Sequence, residues 1–94
     1  MMGFLKKLFA GGGPGSVQEY MPVEYNGYRI IPTPMKDSQG FRVQGRIEMD
    51  VDGETRVHQF IRADMYFSVD DTLAVIEQKA KRMIDEQGTR LFDR

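Results

Sequence analysis

Four side chains in the stretch ETRVHQFIRADMYFS carry chemistry at a fixed spacing. Arg56, His58 (the single histidine of the chain), Phe60 and Arg62 recur at every second residue. Extended backbone sends alternate side chains to one face, so a strand here gathers all four. Guanidinium forks match the paired oxygens of phosphate and carboxylate. An exposed aromatic ring offers a stacking surface for a base, and an imidazole can hold a metal or pass a proton. Arg42 and Arg46 follow the same period in FRVQGRIEM, with Gln44 between them and Glu48 as a diluting acid. Two adjacent strands would therefore bring Arg42, Arg46, Arg56, His58, Phe60 and Arg62 to one surface.

The elements that position this cluster are readable from pattern. In FRVQGRIEM, Phe41, Val43, Gly45, Ile47 and Met49 alternate with polar residues, the signature of a half-buried strand. Upstream, Asn26-Gly27 is a two-residue hairpin signal. Its register sets Tyr25 opposite Tyr28, Glu24 opposite Arg29 and Val23 opposite Ile30. Pro32 and Pro34 end that strand or confine it to an edge, and KDSQG (36–40) is a polar turn. The turn DVDG has two readings. A two-residue Asp52-Gly53 loop pairs Ile47 with His58 and Val43 with Arg62, mixing apolar and charged residues. A three-residue loop, Val51-Asp52-Gly53, pairs Ile47 with Val57, Val43 with Ile61 and Glu48 with Arg56. A one-residue slip exchanges the two faces of a strand. The three-residue loop is expected, because it places Val57, Ile61 and Ala63 in the core with Phe41, Val43 and Ile47 and sends the arginine cluster outward.

Ser68 is expected to cap a helix, since SVDD supplies a capping serine and acids for the first turn. Leu73, Ile76, Ala80, Met83, Ile84 and Gln87 form its stripe, and Gly88 suits its end. Leu91 and Phe92 are expected to fold back onto the body. The fold class that follows is α+β: an antiparallel meander of three to four strands with one C-terminal helix packed on one face. Residues 17–94 form this domain. Residues 1–16 are read as a flexible N-terminal segment and glycine-rich linker, GGGPGS.

The chain has 94 residues, 13 Lys and Arg against 14 Asp and Glu, and no cysteine. Thiolate chemistry, disulfides and sulfur-bound zinc are excluded. A net charge of −1 gives no global basic field. One histidine and no cysteine leave no Ser-His or Cys-His pair. DVDGE lacks the further oxygen ligands of a calcium loop, and GGGPGS lacks the strand–helix context of a phosphate loop. Asp70 and Asp71 are accounted for by the helix start. In FLKKLF, the apolar part is too short and too interrupted by Lys6 and Lys7 for a secretory signal.

The segments EYNGYRIIPTP, FRVQGRIE, VDGE, HQFIRAD and AKRMIDEQGTRLF together resemble the HlyU-like family of small bacterial proteins. The resemblance covers nearly the whole chain, including the FLKKLF start. It implies a transcriptional activator of haemolysin expression, and with that DNA binding and regulation. It brings no catalytic residues. The expectation is therefore a non-enzymatic cytoplasmic binding module, with no cofactor and no metal, acting through the open sheet face. A protein partner or a homodimer leads among partners, with DNA as the next class. Membrane contact through Phe4, Leu5, Leu8 and Phe9 is the remote option.

Overall fold

A computed structural model describes residues 17–93. The expectations for residues 1–16, including membrane contact through Phe4, Leu5, Leu8 and Phe9, lie outside the described residues. Five strands form one antiparallel sheet: β1 (Val23–Tyr25), β2 (Tyr28–Pro32), β3 (Met35–Asp37), β4 (Gly40–Val51) and β5 (Glu54–Tyr66). One helix among the described residues, α1 (Val69–Gln87), and a 3₁₀ turn (Gly88–Phe92) follow. The α+β class is as expected. The strand count exceeds the expected three to four because β2 and β3 lie end to end along the same edge of β4. β5 pairs with the other edge of β4.

The first hairpin has the expected register, with Val23 opposite Ile30, Glu24 opposite Arg29 and Tyr25 opposite Tyr28. Asn26 and Gly27 both take positive φ, as the tight turn demands. Pro32 sits within β2 without breaking the sheet, because its missing N–H falls on the side facing away from β4. On that outer side its carbonyl instead accepts the Tyr20 N–H at 3.0 Å.

The second hairpin departs from expectation. Val51 pairs with Glu54 across a two-residue Asp52-Gly53 loop, and both loop residues have positive φ, 52° and 83°. Ile47 therefore faces His58, Glu48 faces Val57 and Gly45 faces Phe60. The three-residue loop is corrected, and with it the assignment of faces. Phe60 is buried at 4% exposure, whereas Val57 and Ile61 are 47% and 59% exposed. The reason is steric. Gly45 leaves a gap in β4, and the Phe60 ring fills it. A Cβ at residue 45 would come within 3.1 Å of Phe60 Cζ, Ile76 Cγ2 and the Ile31 carbonyl oxygen alike. An aromatic laid across a strand glycine recovers the packing that the glycine lacks.

The polar residues that share Phe60's face are accommodated at the margin of the helix. α1 packs mainly over β4 and β2 and less over β5. Arg56 is exposed and His58 half-buried. Arg62 lays its guanidinium over the Phe60 ring, 5.9 Å from the centroid, and reaches Met83 Sδ at 3.4 Å. Asp64 pairs with Lys79 of the helix at 3.6 Å. Further along, between the Arg42–Met65 and Gln44–Ile61 pairs, β5 carries two residues more than β4, so the ladder is irregular there.

Ser68 caps α1 by accepting the Asp71 N–H. The helix buries Thr72, Ile76, Ala80, Met83 and Ile84. Of the expected stripe, Leu73 is half-buried and Gln87 exposed, whereas Thr72 turns inward because its hydroxyl donates to the Ser68 carbonyl at 2.9 Å. Leu91 is buried and Phe92 stacks on Tyr28, as expected of the tail.

The register makes a sharp prediction. Phe60→Ala should cost about 3–5 kcal/mol of unfolding free energy, as for other buried phenylalanines. Ile61→Ala should cost below about 1 kcal/mol, as at other exposed positions. Urea denaturation of both variants checks this; a reversed order would restore the three-residue loop.

Candidate functional site

The sheet separates the six expected site residues. Arg42 and Arg46 project to the open face, together with Arg29, Gln44, Glu48, Val57, Gln59 and Ile61. Arg56, His58, Phe60 and Arg62 share the face that carries the helix. The single surface expected of Arg42, Arg46, Arg56, His58, Phe60 and Arg62 is thus corrected to two, for the reason of register given above. Phe60 in particular is a core residue and offers no stacking platform.

On the open face two of the three arginines, Arg29 and Arg46, are occupied. Alternation along β4 places Arg46, Glu48 and Asp50 in one row, and the β2 register brings Arg29 beside Glu48. Arg29 Nη1 binds Asp50 Oδ2 at 3.0 Å and its Nη2 binds Glu48 Oε1 at 3.2 Å. Arg46 Nε binds the other Glu48 oxygen at 2.7 Å, and its Nη1 binds Glu19 Oε2 at 2.9 Å. Thr55 donates to Asp50 Oδ1 at 2.8 Å. Three carboxylates therefore enclose two guanidiniums in one continuous ladder. Isolated surface pairs contribute about 0–1 kcal/mol each, but shared partners fix side-chain geometry.

The ladder sets the protonation of Glu48 and Asp50. Burial pushes the Glu48 carboxyl up, but hydrogen bonds from Arg46 and Arg29 outweigh it, and the net position lies below the usual carboxylate range. Asp50 is lowered chiefly by its hydrogen bonds from Arg29 and then from Thr55. Both groups stay charged at neutral pH, and so do the arginines they hold.

Apart from Arg42, what remains open on this face is apolar and neutral. Val57 and Ile61 are exposed on β5, with Gln59 between them. A cavity of about 140 Å³ lies beside Gln59 and Ile61, lined also by Thr33, Gln44, Gly45 and Arg46. Among the described residues, Arg42 and Arg56 have no acidic partner. A second recess, about 770 Å³, opens at the far end of β5 between Gln39, Met65, Phe67 and Asp71. Phe67 is 89% exposed there. The residues that sequence reasoning missed are Val57, Ile61 and Phe67. Their signal was present in the Asp52-Gly53 dipeptide, whose preference for a two-residue loop places Val57 and Ile61 outside.

Among the described residues, no group of three or more histidine or acidic side chains could hold a metal ion. No helix among them is long and apolar enough to cross a membrane. Fold and site together define a class: a small α+β domain presenting a sheet face of ordered ion pairs beside exposed apolar side chains. The chain belongs to the HlyU family, whose description is transcriptional activator HlyU and whose model matches residues 3–92. No curated protein and no solved structure gives a significant match.

The pKa directions fix a pH dependence. Glu48 and Asp50 are lowered in the fold, so their contribution is complete above the unfolded carboxylate pKa of about 4 and is lost as pH falls through the folded values. Thermal melts should show stability declining below about pH 4. Glu48→Gln should lower stability at pH 7 and flatten the acid decline. An unchanged acid slope in that variant would remove the ladder from the account.

Proposed function

We propose that the protein is a non-enzymatic module of transcriptional regulation that works by protein contact through the β5 half of its open sheet face. The observation that carries this reading is the division of that face. Arg29 and Arg46 are saturated by Glu19, Glu48 and Asp50, whereas Val57 and Ile61 stand exposed beside them. A phosphate-gripping surface needs cations free to replace counterions. Arg42 alone meets that need among the cluster's arginines on this face, and the residues from 17 onward carry 11 bases against 14 acids. Family membership supplies the regulatory context. Exposed aliphatic side chains framed by ordered polar groups are the composition of a protein-binding patch.

Amide NMR titration with short duplex DNA tests this at low and at physiological salt. Weak shifts near Arg42 and Arg56 that vanish at the higher salt are expected, the mark of non-specific phosphate attraction. Shifts centred on the open face that persist at physiological salt would overturn the reading in favour of direct DNA recognition.

A further inference from the structure

We infer that the chain forms a two-fold symmetric dimer by antiparallel pairing of β5 with β5 of a second copy. The inference builds on the reading of β5 as a protein-contact surface and names the partner.

Hydrogen-bond direction follows from the hairpin. The residues flanking a two-residue loop form a hydrogen-bonded pair, and pairs alternate from there. Val51–Glu54, Met49–Arg56, Ile47–His58 and Gly45–Phe60 thus turn their backbone groups toward each other. Thr55, Val57, Gln59 and Ile61 turn theirs to the free edge. The β2–β4 ladder agrees with this phase, since Thr33 N–H donates to Gln44 O at 3.0 Å. Among the described residues no backbone hydrogen bond reaches the outward N–H and C=O groups of these four residues. The same four send their side chains to the open face, where Val57 and Ile61 are exposed.

Natural sheets blunt such an edge with charged side chains, proline, shortness, a bulge or a covering segment; in β5 the bulge lies beyond Ile61, and Arg56 and Arg62 fall on the helix-bearing face. β5 has 13 residues, with no lysine and no proline. The opposite side of the sheet is protected: β1 has three residues, and Val17 bridges the outer edge of β3 at Met35. One long edge is open and the other is not. Self-pairing through the open edge uses the same surface twice and closes as a dimer instead of extending into a fibre.

Charge separates the two central registers. Only even-numbered sums of paired residues satisfy the outward hydrogen bonds. Pairing Gln59 with Gln59 of the second copy would set Arg56 against the second copy's Arg62, a repulsion made twice. Sliding by one step sets His58 opposite itself, Val57 opposite Gln59 and Thr55 opposite Ile61. It also sets Glu54 opposite Arg62. Neither of those two has an ionic partner among the described residues. Arg62 is the last residue of that pairing, at the point where β5 becomes irregular.

The native chain has no cysteine, so single thiols report the register directly. His58 is a non-hydrogen-bonded position on the free edge, where facing Cα atoms lie about 4.5 Å apart, within disulfide reach. In the full-length chain, His58→Cys should oxidise to a disulfide-linked dimer in larger yield than Val57→Cys or Gln59→Cys. Maximal yield at 57 or 59, or none at all three, overturns the register or the dimer respectively. Sedimentation of the wild-type chain should show a concentration-dependent approach to twice 10.8 kDa. Ile61→Lys, at an exposed position, should keep the far-UV spectrum and raise the dimer dissociation constant at least about tenfold, since edge lysine blocks pairing. A strict monomer, or an unchanged constant in Ile61→Lys, overturns the inference while leaving the open face available to a different protein. A salt-resistant response to duplex DNA would remove the protein-contact reading without altering the cross-linking result.

Discussion

The fit of Phe60 into the space beside Gly45 governs everything else in this molecule. It locks β5 to β4 in one register and seats Ile76 of the helix against both. A slip of one residue would bury Val57 and Ile61, expose Phe60 and bring Arg56 against Glu48. The tight Asp52-Gly53 loop and the aromatic–glycine contact select the same register from opposite ends of the strand pair. Such agreement between local turn chemistry and long-range packing is what gives a short chain a single folded state.

The ion ladder on the open face follows from that register and from the β2 register together. Glu48 lies between Arg29 and Arg46, one guanidinium for each carboxylate oxygen. It faces Val57 across β4–β5, which leaves it free to serve both arginines. Charged side chains that a sequence count treats as a basic surface are here an internally neutralised lattice. The face is polar in composition and weak in field, a combination that suits contact through shape and apolar area more than through long-range attraction.

Much of this was legible in the residues. The Asn26-Gly27 hairpin, the β4 alternation, the Ser68 cap and the return of Leu91 and Phe92 all follow from local rules, and each is found where those rules put it. The faces of β5 were not legible, because the alternation of TRVHQFIRA is nearly balanced. Val57 and Ile61 on one phase weigh about as much as Phe60 on the other. The decision rested on a glycine in a different strand, and a strand glycine carries no pattern signal of its own. Pattern reasoning also assumes that every residue on the helix-bearing face is covered. α1 leaves the outer part of β5 at its margin, so Arg56 and His58 tolerate a face that would exclude them in a central strand.

The bridge between Val17 and Met35 has a bearing on how the molecule can be used. Val17, Met35, Arg42 and Met65 make one row across the sheet, each paired with the next. With strands about 4.8 Å apart, the row spans about 14 Å. The chain enters the fold at one end of this row, and β5 lies at the other. A second copy paired on β5, as inferred above, would sit on the bank of the sheet opposite Val17.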